Sequence, residues 1–271
     1  MLKTRIITAL VLLPLVLLAL FALPAQGWGA FTVLVIGLAA WEWTKLAKLQ
    51  GPEAGVFILA SVVQSAALAF LPGATAAHLL LDPLALLFWC AIAPLWLVRK
   101  WTLAPRWLAA LIGWLILMAA TASLLRWHAL PNGAMVMLAL FAIAWVADTA
   151  AYFSGRKFGR HKLAPSISPG KTWEGVFGGL IAVTVYLLVL RGIGFAPFSV
   201  LPLYVLLPVG WVLTAVSVVG DLLESLFKRQ VGLKDSSGLL PGHGGILDRV
   251  DSLLALLPVV SALKFTIFAA W

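Results

Sequence analysis

Residues 220–251 read GDLLESLFKRQVGLKDSSGLLPGHGGILDRVD, and in these 32 positions stand four Asp, one Glu, four Lys or Arg and one His. An apolar run leads into the stretch and another leaves it. The remainder of the chain supplies the contrast: its 271 residues are 63% hydrophobic and 11% charged, with a mean hydropathy of +1.06. A soluble domain of this size could not bury so much apolar surface, so the sequence reads as an all-α polytopic membrane protein in which residues 220–251 form a polar re-entry between the last two spans.

Working outward, the apolar runs predict about nine transmembrane helices, near 6–23, 28–46, 54–71, 84–98, 107–125, 133–153, 174–192, 199–223 and 250–269. Pro24, Gly51-Pro52, Pro72-Gly73, Asp82-Pro83, Pro105, Pro131-Asn132-Gly133 and Pro197 punctuate them. The fourth run, with Cys90 and Pro94 inside it, is expected to be shorter than a full span. With the N-terminus in the cytoplasm, Lys3, Arg5, Lys45, Lys48, Arg99, Lys100, Arg106, Arg156, Lys157, Arg160, Lys162, Lys171, Lys228, Arg229, Lys234 and Arg249 all fall inside, sixteen of nineteen basic residues, leaving only Arg126, Arg191 and Lys264 elsewhere. Seven of the ten acidic residues lie at or beyond Asp148. Residues 1–132 thus read as scaffold helices and 133–271 as the region that holds the chemistry, within one membrane unit.

Several other classes fall away. The net charge of +9 is dispersed in small groups between apolar runs, which suits lipid and topology rather than nucleic acid. MLKTR followed by residues 6–23 has the outline of a signal peptide, but its apolar body is long enough to span and reads as a retained first helix. Cys90 is the sole cysteine and forms no intrachain disulfide; it reads as a small core or lipid-facing residue.

Three polar groups carry the functional signal. Asp148, in AWVADTAAYFSGR, sits near the cytoplasmic end of the sixth run, where a carboxylate faces a cavity or partner, or else packs against an Arg from the next loop. Tyr152 follows four residues later, near the same helix face. The loop GRKFGRHKLAPSISPGKTWEG then places five cations between Arg156 and Lys171, with Ser166, Ser168 and Thr172, and Pro169-Gly170-Lys171-Thr172 leads into the seventh helix, whose N-terminal amides favour an anion. This is not a Walker A loop, since Pro165 stands where the first Gly belongs and no strand is expected. The loop reads as phosphate-attracting, against the plainer reading of a lipid-surface signal; Glu174 is placed to support Lys171 electrostatically.

In the opening stretch, Asp221, Glu224, Ser225 and Lys228 share one helix face at i, i+3, i+4 and i+7. Lys234, Asp235, Ser236 and Ser237 follow, and the glycines of PGHGG leave backbone amides free to approach a ligand. Asp248 and Asp251 stand i, i+3 at the opening of the last span. Carboxylates brought together repel unless they hold a cation, and oxygen ligands beside Lys and Arg suit Mg²⁺ bound with a nucleotide. His78 and His128 read as interfacial and His161 belongs to the basic loop. His243 either ligates or orders its loop by a hydrogen bond.

From Ser225 through Lys228-Arg229, Lys234-Asp235, Ser237, Leu240-Pro241, His243-Gly244-Gly245 and Asp248-Arg249 to Asp251, the 27 residues meet every position of the pattern S-x-apolar-K-R-x4-K-D-x-small-x2-apolar-P-x-H-G-G-apolar-x-D-R-apolar-D. In this the chain resembles the phosphatidate cytidylyltransferase, or CDP-diacylglycerol synthase, family. The upstream DTAAYFSGRKFGRHKLAPSISPGKTWEG is similar to a second region of that family, so the likeness covers about residues 145–253. It implies the reaction of CTP with phosphatidate to give CDP-diacylglycerol and pyrophosphate, at the cytoplasmic face of a bacterial inner membrane. It also implies Mg²⁺, a second, monovalent cation and a homodimer. On this expectation Asp221 and Asp248 are the principal metal ligands, with Asp251 and Asp148 beside them. Lys171, Lys228, Arg229, Lys234 and Arg249 share the triphosphate and the lipid phosphate, while Ser168, Thr172, Ser225, Asp235, Ser237, His243, Gly244 and Gly245 complete the substrate site.

A transporter would carry charges deep in both halves, whereas these cluster in the second half at one membrane face. A CDP-alcohol type transferase would show DGx2ARx8Gx3Dx3D, which is absent. A non-catalytic scaffold gives no reason for a match of this kind over 27 residues. The charge bias makes one topological outcome specific: a reporter fused after Trp271 is expected on the external side, and a cytoplasmic reporter would overturn either the span count or the orientation.

Overall fold

Apolar runs of this length become helices because a helix satisfies its own backbone donors and acceptors without water. The computed structural model describes residues 2–71, 73 and 77–267. Pro72, expected to end the third run, and residues 268–269 of the last lie outside the described residues, as do the side chains of Lys3, Arg5 and His78. The elements are α1 (Leu2–Ala22), α2 (Ala25–Leu46), α3 (Pro52–Phe70), α4 (His78–Leu87), α5 (Ala93–Arg99), α6 (Arg106–His128), α7 (Gly133–Phe158), β1 (Lys162–Ala164), β2 (Ser168–Thr172), α8 (Trp173–Gly192), α9 (Leu203–Gln230) and α10 (Leu247–Ala262). A π-helical turn, Phe88–Ile92, joins α4 to α5, and another, Leu263–Ile267, follows α10.

Among the described residues six helical segments are long and apolar enough to cross a membrane: Pro52–Phe70, Leu79–Arg99, Arg106–His128, Gly133–Phe158, Trp173–Gly192 and Leu203–Gln230. The chain is a helical membrane protein. The other three expected spans fall on α1, α2 and α10, which are helical but outside that set.

Two local expectations are corrected. Pro83 lies inside α4 rather than ending a helix, and the run around it continues through the π turn as a 21-residue apolar segment, Leu79–Arg99, not a shortened one. Pro94 sits in the first turn of α5, where the missing N–H costs nothing. Cys90 in this segment is exposed. The second correction concerns the basic loop. It folds as a two-stranded antiparallel hairpin, with Lys162 opposite Thr172 and Ala164 opposite Ser168, so a strand does lead into α8, although Pro165 still rules out the Walker pattern.

Helix α10 lies at the centre of the bundle. It packs on α9, α6, α4 and α7, and Ala255, Leu256 and Val259 are fully buried. Tryptophan N–H groups fasten its surroundings: Trp127 Nε1 donates to Ser261 Oγ at 2.8 Å, Trp43 Nε1 to the Ala109 carbonyl at 2.9 Å and Trp28 Nε1 to the Leu124 carbonyl at 3.1 Å. Each satisfies an indole donor that would otherwise be stranded in an apolar interior. Outward faces such as Val56, Leu59 and Val63 of α3, or Ile181, Val185 and Val189 of α8, are exposed and apolar, as lipid-facing surface requires.

Gly220 sets the spacing of α9 and α10. A Cβ there would stand 2.6 Å from the Asp251 carbonyl oxygen and 2.9 Å from the Ala255 Cβ, so only glycine allows the two backbones to meet where the polar stretch begins. Gly220→Val is expected to lower stability in detergent by about 1–3 kcal/mol through overpacking, read as a fall in thermal midpoint. An unchanged midpoint would mean that the helices can separate without loss.

Candidate functional site

α9 runs unbroken through Gln230, so Asp221, Glu224, Ser225 and Lys228 lie on one helix as the spacing predicts. Ser225 Oγ donates to Asp221 Oδ1 at 3.3 Å. Lys228 is buried, and its Nζ stands 2.5 Å from both Glu224 Oε2 and Asp248 Oδ1. One ammonium thereby joins α9 to the first turn of α10. Asp248 Oδ2 accepts from the Ser236 amide at 2.8 Å, Ser236 Oγ at 2.8 Å and the Gly245 amide at 2.7 Å. Both oxygens of Asp248 are therefore engaged by protein donors. Outside the six long apolar helices, this carboxyl feels burial pushing its pKa up, but the Lys228 ammonium and the two amides outweigh that and hold it below the usual carboxylate range.

The hairpin delivers Lys171, whose Nζ lies 2.6 Å from Asp221 Oδ2. Thr172 is buried and caps α8, its Oγ1 accepting from the Gly175 amide at 3.1 Å. Ser168 is half-buried at the hairpin pairing. Glu174 does not support Lys171: its Oε1 is 2.7 Å from His161 Nδ1, and it accepts the His161 amide, so it ties the entry of the hairpin to its exit. Arg229 anchors the same hairpin to α9, donating from Nε to the Ile167 carbonyl at 3.4 Å and from Nη1 to the Leu233 carbonyl at 3.0 Å.

Asp148 on α7 is exposed and lies in the electrostatic field of Lys171, Asp221 and Arg249. Asp251, half-buried, acts with Asp221, Glu224 and Lys171. Lys234, Asp235 and Arg249 are exposed, and Lys234 and Arg249 form no side-chain hydrogen bond or ion pair with the described residues. In the glycine loop the Leu240 amide donates to the Gly244 carbonyl and the His243 amide to the Leu240 carbonyl, both at 2.8 Å; the buried His243 Nδ1 has no hydrogen-bond partner among the described residues. Thr8 Oγ1 of α1 donates to the Pro241 carbonyl at 2.8 Å, so the first helix touches this loop. Among the described residues no three His, Cys, Asp or Glu side chains converge as a ready metal cage.

The gathering of α7, β2, α9, the loop 231–246 and α10 around Asp221 and Lys228 is matched by kinship over the whole chain. A model of the family described as "Cytidylyltransferase family" matches residues 3–267. The chain belongs to the cytidylyltransferase family. Its relatives include the phosphatidate cytidylyltransferase of Pseudomonas aeruginosa, 44% identical over 100% of this chain and 99% of that one. The protein of the same name from Haemophilus influenzae is 38% identical over 98% of this chain and 99% of its own; that from Brucella suis is 41% identical over 94% and 90%.

One participant in this gathering of charges is not signalled by the sequence motifs. Glu42 of α2 is fully buried and accepts from Ser236 Oγ at 3.0 Å, Ser237 Oγ at 2.6 Å, the Ile246 amide at 3.0 Å and the Leu247 amide at 2.7 Å. The available signal was a single carboxylate, between Trp41 and Trp43, deep in an apolar run.

The buried ion triplet has a measurable weight. Lys228→Met would leave Glu224 and Asp248 buried without their shared cation, and a loss of about 3–5 kcal/mol of stability is expected. Thermal or denaturant unfolding of the purified variant checks this. A midpoint equal to that of the unsubstituted protein would show that the carboxylates find other partners.

Proposed function

We propose that the chain is a phosphatidate cytidylyltransferase, joining CTP to phosphatidate to give CDP-diacylglycerol and pyrophosphate. The observation that carries this reading is the end-to-end match to relatives of that name at 38–44% identity. The gathered charges supply a chemistry for it. A phosphate monoester is already anionic at neutral pH, so its oxygen can attack the α-phosphorus of CTP without a dedicated base. A new P–O bond forms as the bond to the β-phosphate oxygen breaks, and the electron pair leaves with pyrophosphate. What the protein must provide is alignment and relief of negative charge.

Lys234 and Arg249, exposed and free of ion pairs among the described residues, and Lys171, shared with Asp221, are the cations available to substrate phosphates. Lys228 and Arg229 are held by protein partners, so we assign them to shaping the site. The same holds for Thr172, which caps α8, and for Ser225, which is bonded to Asp221.

A divalent cation fits the donor set. Asp148, Asp221, Glu224, Asp248 and Asp251 act on one another with only Lys171, Lys228 and Arg249 to balance them. Mg²⁺ commonly binds through one or two carboxylates together with substrate phosphates, so a complete protein cage is not required. The sequence expectation pairs Asp221 with Asp248. Asp248 already accepts four protein donors, whereas among the described residues Asp221 meets only the Ser225 hydroxyl, at 3.3 Å, and the Lys171 ammonium, so we place the cation instead on Asp221, with Asp251 and Asp148 beside it. When bound, Mg²⁺ neutralises the developing charge of the leaving pyrophosphate.

The reading further places the protein in a bacterial inner membrane, N-terminus and site toward the cytoplasm, where CTP is present and phosphatidate arrives laterally from the inner leaflet. The concentration of basic residues on that side supports it. A homodimer and a second, monovalent cation belong to the same proposal, as does a division of labour between residues 1–132 as scaffold and 133–271 as the source of the reacting groups.

Incubating the detergent-solubilised protein with labelled CTP and phosphatidate should give labelled CDP-lipid only with Mg²⁺. Absence of product under every condition would remove the reading. Asp221→Asn should lower turnover by about a hundredfold or more while the protein still inserts, because charge is lost at the cation without opening a cavity; near-normal turnover would move the cation elsewhere.

A further inference from the structure

The reading of the sequence leaves Glu42 among the scaffold helices, yet its carboxylate is saturated by the loop that the second half contributes. Oε1 accepts from Ser237 Oγ at 2.6 Å and the Ile246 amide at 3.0 Å; Oε2 accepts from the Leu247 amide at 2.7 Å and Ser236 Oγ at 3.0 Å. The donors lie 194 to 205 residues away in sequence. A buried carboxylate is tolerated only when such donors are supplied, so α2 and the loop are held together by mutual need.

The contact continues into the charged cluster. Ser236 Oγ stands between Glu42 Oε2 and Asp248 Oδ2, at 3.0 and 2.8 Å. Asp248 in turn meets Lys228, and Lys228 meets Glu224. Glu42, Ser236, Asp248, Lys228 and Glu224 thus form one unbroken chain of hydrogen bonds and ion pairs from α2 across α10 to α9. Gly245 lies in its angle: a Cβ there would strike Ser236 Oγ and Glu42 Oε1, so the loop backbone is pressed directly against the Ser236 hydroxyl and the Glu42 carboxylate.

We propose that Glu42 is a positioning residue of the cytidylyltransferase site. It fixes residues 236–247 so that Asp248 and Lys228 keep their places beside Asp221, and so that Arg249 projects from a fixed first turn of α10. It touches neither substrate. Its acceptors also occupy the Ser236 and Ser237 hydroxyls and the Ile246 and Leu247 amides, which removes these four donors from the groups open to a phosphate. This rests on the proposed reaction, and the test separates the two.

Purified wild type, Glu42→Gln and Glu42→Asp are assayed with CTP, phosphatidate and Mg²⁺, with rates referred to the folded, monodisperse fraction. Gln keeps the volume of Glu42 but turns a donor toward amides and hydroxyls that need an acceptor. Misplacement of reacting groups by small distances is costly, so kcat per folded molecule is expected to fall about tenfold or more. Both KM values should stay within about threefold, since no substrate contact is removed. Asp keeps the charge and both acceptors on a shorter stem and should fall between Gln and wild type. Should Glu42→Gln fail to fold, Glu42→Asp decides alone. A variant that loses folded protein but retains the wild-type kcat per folded molecule overturns the positioning role, and so does a change confined to KM. A wild type that makes no CDP-lipid would sink the proposed reaction instead.

Discussion

Lys228 is a cation that an apolar bundle can hold only on strict terms. Its Nζ is 2.5 Å from carboxylates on two different helices, and removal of the ammonium would leave both of them buried without compensation. The other elements are arranged so that these terms are met. Gly220 lets α10 approach α9 closely enough for Asp248 to reach the ammonium, the loop amides and the Ser236 hydroxyl saturate the far side of Asp248, and Glu42 saturates the loop. The polar stretch is therefore not a flexible insert between two spans. It is a rigid shelf whose hydrogen bonds close on the protein itself.

That closure explains why the site draws on so many segments. A short loop cannot supply enough donors and acceptors to satisfy its own buried groups and still present others to a ligand. Here α2 takes the inward-facing hydroxyls and amides, while the hairpin β1–β2 brings Lys171 to Asp221 from the opposite side. The hairpin is itself steadied at its base by Glu174 on His161 and at its turn by Arg229 on Ile167. Residues of α9 and β2 can then meet reproducibly although a helix and a long connection separate them in sequence.

Legibility followed the range of the physical signal. Helical runs were readable because apolar length is a local property, and so was the shared face of Asp221, Glu224, Ser225 and Lys228, since helix periodicity is local too. Pro83 misled because a proline inside a helix removes one backbone hydrogen bond without necessarily ending the helix, and α4 continues through it. The hairpin at 162–172 was invisible because Lys, Pro, Ser and Gly carry no strand preference; pairing between Lys162 and Thr172 is a consequence of tertiary placement. Glu42 was missed for the deepest reason. Its partners lie about two hundred residues away, and a lone carboxylate between two tryptophans says that something must satisfy it without saying what.

The distribution of satisfied and unsatisfied groups narrows where phosphate can be received. Donors at the start of α10 are taken by Glu42 and Asp248, Thr172 caps α8, and Arg229 is spent on carbonyls. Lys234 and Arg249 remain exposed, and among the described residues Lys171 is held only by Asp221. On the proposed reaction Asp221 would hold the divalent cation, and because its Oδ2 stands 2.6 Å from the Lys171 ammonium, that ion pair would open when the site is filled. The displaced ammonium would then be free to meet a phosphate oxygen. Loading of the cation and engagement of Lys171 with substrate would be one coupled event, with Asp221 as the group both depend on.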